Sequence, residues 1–189
     1  TWWVDKTYDE LMALEYPDKI EKASCVVSSK HGRRLSFVHR LFDKNPDIEL
    51  WGRGHHAAYG GKDFYKGELN YSGNCKLAGL LPYNYTVVLE NSSQSNYWTE
   101  KLADAYLSWC IPIYWGCPNI GHFFNEKSFR SIDINEPNPW SKIEEMISAP
   151  VSEFEVEMIK KSRESVLKEF NIWESLRKKM VNLGLTNEV

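Results

Sequence analysis

Residues 85–116 read YTVVLENSSQSNYWTEKLADAYLSWCIPIYWG. The first six residues carry β-branched side chains in their middle and predict a strand. After a polar break, Leu102, Ala105, Tyr106 and Trp109 fall at i, i+3, i+4 and i+7, which predicts a helix over 99–109. Residues 111–116 form a second apolar run, short and Pro-containing, stopped by Gly116. A chain that alternates in this way is expected to fold as an α/β domain, a parallel sheet with helices on both faces.

The same alternation recurs on either side. Residues 23–29 (ASCVVSS) predict a strand, 33–44 a helix with Leu35, Val38, Leu41 and Phe42 on its apolar face, and 47–52 a second strand. Residues 128–134 predict a fifth strand. From 140 to 183 the pattern is helical, with breaks near Pro150 and Asn171. Phe154, Met158, Val166, Leu167 and Phe170 are expected to share a packing face. The Gly-rich stretch 52–74 is expected to be a long mobile loop. The apparent organisation is a lead-in segment over 1–22, a sheet domain over 23–149, and C-terminal helices over 150–189 that pack on it.

At 189 residues and 42% hydrophobic content the chain is long and apolar enough for one cored domain. A net charge of -3 argues against a nucleic-acid partner, which needs clustered cations to neutralise phosphates. No apolar run approaches the roughly 20 residues needed to cross a bilayer, and the first residues are too polar for a signal peptide. Cys25, Cys75, Cys110 and Cys117 form no CxxC pair and read mostly as reduced core thiols. A cytoplasmic protein, free or peripheral at a membrane, is therefore expected. Sequons at Asn70, Asn84 and Asn91 do not alter this, since a glycan on Asn91 would block the site considered below.

Ligands of such sheets bind beyond the carboxyl ends of the strands. That rule selects residues 28–34, 90–101 and 115–120. Arg33 and Arg34 open a helix, where free N–H groups already favour anions and an Arg can grip a phosphate with two bonds. The bland alternative is two solvated charges. At 90–101, Asn96 or Thr99 can cap the helix. Glu100 and Lys101 are then either surface charges or, with Tyr97, groups facing a sugar diphosphate. No Walker or GxGxxG fingerprint is present, so phosphate binding would rest on side chains and helix ends. Neighbouring His55 and His56 would point opposite ways in an extended loop and make a poor metal pair. Ser28 and Ser29 lack a nucleophile elbow. Trp115, at a strand end, is read as the aromatic of this region that stands outside the core.

The segment 83–134 resembles the signature region of glycosyltransferase family 10, the α-1,3/α-1,4-fucosyltransferases, and particularly its bacterial branch. The resemblance rests on Glu90-Asn91, then Tyr97-Trp98-Thr99-Glu100-Lys101, then Pro112-Ile113-Tyr114-Trp115-Gly116. The strand ending in residues 25–29, followed by Arg34, also fits. It covers roughly residues 23–134.

This resemblance implies a two-domain GT-B architecture in which the chain is the C-terminal, Rossmann-like half that binds GDP-fucose. Arg34, with Arg33 its rival for the match, would hold the diphosphate together with Lys101. Asn91 and Tyr97 would contact the nucleotide or its ribose. Glu100 would lie near the fucose and steady positive charge at its anomeric carbon. The implied reaction is inverting transfer of fucose to a glycan hydroxyl, with no metal or other cofactor. The implied partners are a nucleotide sugar, a glycan acceptor, and a partner domain or a second copy. The 22 residues before the first strand are too few for an acceptor-binding domain, so no general base is named and little transfer is expected from this chain alone. Two other functions stay open: a transferase domain for another nucleotide sugar, and a non-catalytic domain that kept the fold.

Overall fold

In a computed structural model, which describes residues 2–30, 32–44, 47–69 and 75–185, the alternating pattern becomes one sheet. Its strands are β1 (Ile20–Val26), β2 (Ile48–Trp51), β3 (Tyr65–Gly67), β4 (Tyr83–Leu89), β5 (Ile111–Trp115) and β6 (Arg130–Ser131), in the order β3-β2-β1-β4-β5-β6. Every neighbouring pair is parallel. All five residues of β5 are buried, and so are all of β4 except half-buried Asn84. Since successive side chains point to opposite faces, burial of every position means that both faces are covered.

The helices are α1 (Tyr8–Ala13), α2 (Gly32–Phe42), α3 (His56–Tyr59), α4 (Cys75–Ala78), α5 (Glu100–Leu107), α6 (Pro139–Ser148), α7 (Glu153–Lys168) and α8 (Ile172–Asn182). Sequence chemistry accounts for their starts. Thr7 with Glu10 and Ser152 with Glu155 form capping boxes, Asn171 caps α8, and Pro139 opens α6. The breaks expected near Pro150 and Asn171 are the α6/α7 and α7/α8 boundaries. The first residues belong to the core as well, since Val4 and Leu11 are buried. Arg163 of α7 fixes them: its guanidinium sits 4.8 Å from the Trp109 ring centroid and donates to the Leu11 carbonyl.

Several expectations change. β1 begins at Ile20 and ends at Val26 instead of running over 23–29, and β6 is confined to Arg130–Ser131. The stretch 52–74 is not one loop, because it contains α3 and the edge strand β3. Gly52 packs so tightly on the residue after β1 that a Cβ there would fall 1.9 Å from the Val27 carbonyl oxygen. Residues 70–74, including the Asn70 sequon, lie outside the described residues, as does the Cys75 side chain. Phe154 is 58% exposed, whereas Met158, Ile159, Val166 and Leu167 are buried. The buried stripe of α7 is centred near Ile159 and Val166, and Phe154 falls beyond its edge. Trp115 is buried in the core. Cys25, Cys110 and Cys117 are buried free thiols.

Candidate functional site

The chain builds outward from β1 to β3, then returns to lay β4 against the other side of β1. The carboxyl ends of β1 and β4 therefore face loops that leave in opposite directions, which opens a crevice in folds of this kind. A cleft of about 240 Å³ lies there, lined among others by Ser28, Arg34, Lys76, Glu100 and Lys101. Three of the five expected site residues, Arg34, Glu100 and Lys101, share it.

Glu90 organises one wall. It follows β4 directly, is fully buried, and its N–H continues the ladder to the Trp115 carbonyl at 3.0 Å. Its Oε1 accepts from the Thr99 N–H at 2.8 Å, and its Oε2 accepts from the Thr99 hydroxyl at 2.7 Å and from Lys101 Nζ at 3.2 Å. A carboxylate removed from water costs several kcal/mol unless donors replace the lost hydration, and here three do. Thr99 is also the residue that caps α5. The strand end thereby fixes the helix start, and with it the directions of Glu100 and Lys101.

Arg34 forms another part of the wall. It lies on the buried stripe of α2 with Phe37, Val38, Leu41 and Phe42, while Arg33 is exposed. Of the two candidates only Arg34 reaches the cleft. Its Nη1 donates to Asn91 Oδ1 at 2.8 Å and its Nη2 to the Lys30 carbonyl at 3.2 Å. Its buried Nε has no hydrogen-bond partner among the described residues. Burial lowers its pKa, opposed by Cys25, Glu90 and Glu100. A guanidinium nevertheless keeps its charge in proteins. Asn91 is itself exposed and touches the site through Arg34.

Glu100 occupies the first turn of α5, where the helix dipole favours an anion. Burial is the largest influence on it and pushes its pKa up. Lys101, Lys76 and a backbone hydrogen bond outweigh that, so the group sits below the ordinary carboxylate range. Tyr97 is not brought to the cleft lining; it is half-buried, and its N–H is held by the Gln94 carbonyl. The following residue anchors this loop. The Trp98 ring packs edge-on against Phe123, Phe124 and Phe170 with centroids 5.1–6.1 Å apart. Asn96, at φ 62°, exchanges hydrogen bonds with Asn119.

Four residues belong to the site beyond the expected ones: Glu90 as its organiser, Lys76, Asp104 and Trp3. Asp104 had a usable signal: a carboxylate among Leu102, Ala103 and Ala105 on the apolar side of a helix needs a buried partner. His55 is not in an extended loop but precedes α3 and is buried; its Nε2 lies 3.0 Å from the Val27 carbonyl, and burial first, then His39 and Arg34, lower its pKa. Among the described residues no three His, Cys, Asp or Glu side chains converge on a metal-sized site, and no helix is long and apolar enough to cross a membrane.

The fold has counterparts among solved structures. A solved α1,3-fucosyltransferase with GDP shares the fold at a TM-score of 0.50 and 22% identity, covering 80% of this chain and 48% of that one. The glycosyltransferase of kitacinnamycin matches at 0.51 and 17% identity, covering 92% of this chain and 45% of that one. The chain thus spans about half the length of these structures. The α-(1,3)-fucosyltransferase FucT of Helicobacter pylori is 42% identical over 64 residues, 34% of this chain and 13% of that protein. The model of the C-terminal region of glycosyltransferase family 10 (fucosyltransferase) matches residues 16–149. The chain therefore belongs to glycosyltransferase family 10, with the Rossmann-like fold of the C-terminal half of a GT-B enzyme.

Proposed function

We propose that this chain is the donor-binding half of an inverting fucosyltransferase and that its cleft takes GDP-fucose. The observation that carries the reading is the meeting of Arg34, Lys101 and Glu100 in one cleft at the β1/β4 switch point. When the glycosidic bond to GDP breaks, negative charge grows on the leaving diphosphate and positive charge on the anomeric carbon. Fixed cations next to the diphosphate stabilise the transition state more than the ground state. Arg34 and Lys101 are those cations, and Glu100, held ionised, faces the sugar.

Asn91 orients Arg34, and the loop carrying Tyr97 borders the nucleotide. Because the chain spans about half the length of the solved structures it matches, we place the acceptor site and the base that deprotonates the acceptor hydroxyl in a partner domain or a second copy, and this half alone transfers little fucose. A cytoplasmic setting, free or peripheral at a membrane, fits the buried thiols of Cys25, Cys110 and Cys117.

Calorimetric titration with GDP, GMP and UDP tests the reading. Saturable binding with GDP preferred supports it. No binding at about millimolar GDP, a free energy near -4 kcal/mol, rules it out, and preference for UDP redirects it to another nucleotide sugar.

A further inference from the structure

Two lysines line the cleft, and each is paired with a fully buried carboxylate. Lys101 meets Glu90, and Lys76 of α4 meets Asp104 of α5, with Nζ 2.7 Å from Oδ2. Glu90 of the first pair also braces Thr99, the cap of α5, whereas the second pair has no part in a helix cap. Asp104 also accepts the Trp3 N–H through Oδ1 at 2.8 Å, and Trp3 lines the same cleft. Its side chain is completely buried, and burial raises its pKa against the pull of Lys76 and the Trp3 N–H.

An apolar pair of similar volume would join α4 to α5 at least as well as a buried ion pair. What the ion pair adds is an ammonium in the cleft wall, 19% exposed. One of its three N–H donors is used on Asp104, and among the described residues the other two meet no acceptor. Asp104 also lies one helical turn beyond Glu100, and Lys76 acts on Glu100 together with Lys101. The lysine thus lines the same small volume as Arg34 and Lys101.

We propose that Lys76, held on Asp104, is a third cation that contacts the diphosphate of the bound nucleotide. The inference rests on the donor-binding reading above and adds to it a residue from the segment between β3 and β4. Removing Lys76 alone would strand a buried charge on Asp104 and could unfold the chain. The informative variant is therefore K76M/D104N, in which the new amide still accepts the Trp3 N–H.

The full chain and this double variant are titrated with GDP and with guanosine, and their melting temperatures are compared. The expected result is a loss of about tenfold or more in GDP affinity, as for a charge-assisted phosphate contact, with guanosine affinity unchanged. If Lys76 only neutralises Asp104, the double variant binds GDP like the parent, and the proposal is overturned. An equal loss for GDP and guanosine also overturns it, since that is the mark of general damage. A parent chain that binds neither ligand overturns the donor-binding reading and this proposal with it.

Discussion

Gly116 lies so close to Glu90 that a Cβ on the glycine would fall 2.4 Å from the Glu90 Cγ and 2.5 Å from the Tyr114 hydroxyl. The glycine that stops β5 is therefore space for the carboxylate that follows β4. Two neighbouring strand ends are packed together to hold the start of α5.

Gly116→Ala forces backbone or Glu90 to move. We expect a loss of about 1–3 kcal/mol, the usual cost of overpacking, measured by urea denaturation. Because Glu90 positions Thr99 and Lys101, GDP binding should weaken as well. A variant as stable as the parent, with unchanged GDP affinity, would contradict this account of the strand ends.

Glu90→Ala should leave the half-buried Thr99 N–H and hydroxyl without their acceptor and cost about 1–3 kcal/mol, the penalty of an unsatisfied group. Glu90→Gln keeps an acceptor for Thr99 but loses the charge facing Lys101. It should recover part of the lost stability. Equal stabilities for the two variants would mean that the hydrogen bonds to Thr99 are not what matters.

The strand-helix-strand core of the fold was legible because β4 and β5 are rich in β-branched and aromatic residues and α5 is strongly periodic. β3 was not, since Tyr65, Lys66 and Gly67 carry no apolar run; the strand exists because β2 offers an edge for it. The choice between Arg33 and Arg34 was open while the α2 stripe was read from Leu35. It closes once the stripe is seen to run through 34, 37, 38, 41 and 42, which puts an arginine on a buried face. The family motif pointed to Lys101 and Glu100, but Glu90 and Lys76 are long-range matters. Nothing local says that residue 90 will meet residues 99 and 116, or that residue 76 will meet 104.

Trp98 ties the 91–99 loop to the end of α7 through Phe170. Trp98→Ala should cost about 2–4 kcal/mol, somewhat under a fully buried Trp deletion. GDP affinity should fall too, as Thr99 and Lys101 lose their support. Intact nucleotide binding in a destabilised variant would show that the aromatic cluster serves the fold alone.

Glu155 joins α7 to β6 through Arg130 at 2.7 Å and closes the capping box with Ser152. Burial, its largest influence, pushes its pKa up, but the Arg130 and Ser152 hydrogen bonds prevail and the value lies below the ordinary 4.5. The unfolded chain then binds the proton more tightly than the folded one. The stability from Glu155 is complete above the ordinary value and is lost as pH falls through the lowered one. Glu155→Gln should lower the melting temperature at neutral pH and flatten its fall in acid below about pH 4.5. Parallel melting curves for parent and variant across that range would contradict the assignment.

The central claim is that the cleft at the β1/β4 switch point binds a nucleotide diphosphate through Arg34. Calorimetric titration of GDP into the parent chain, Arg34→Ala and Arg33→Ala tests it most directly. The account predicts saturable binding by the parent, the same affinity for Arg33→Ala, and a loss of about tenfold or more for Arg34→Ala. No heat of binding from the parent, or equal affinities for the two arginine variants, would contradict it.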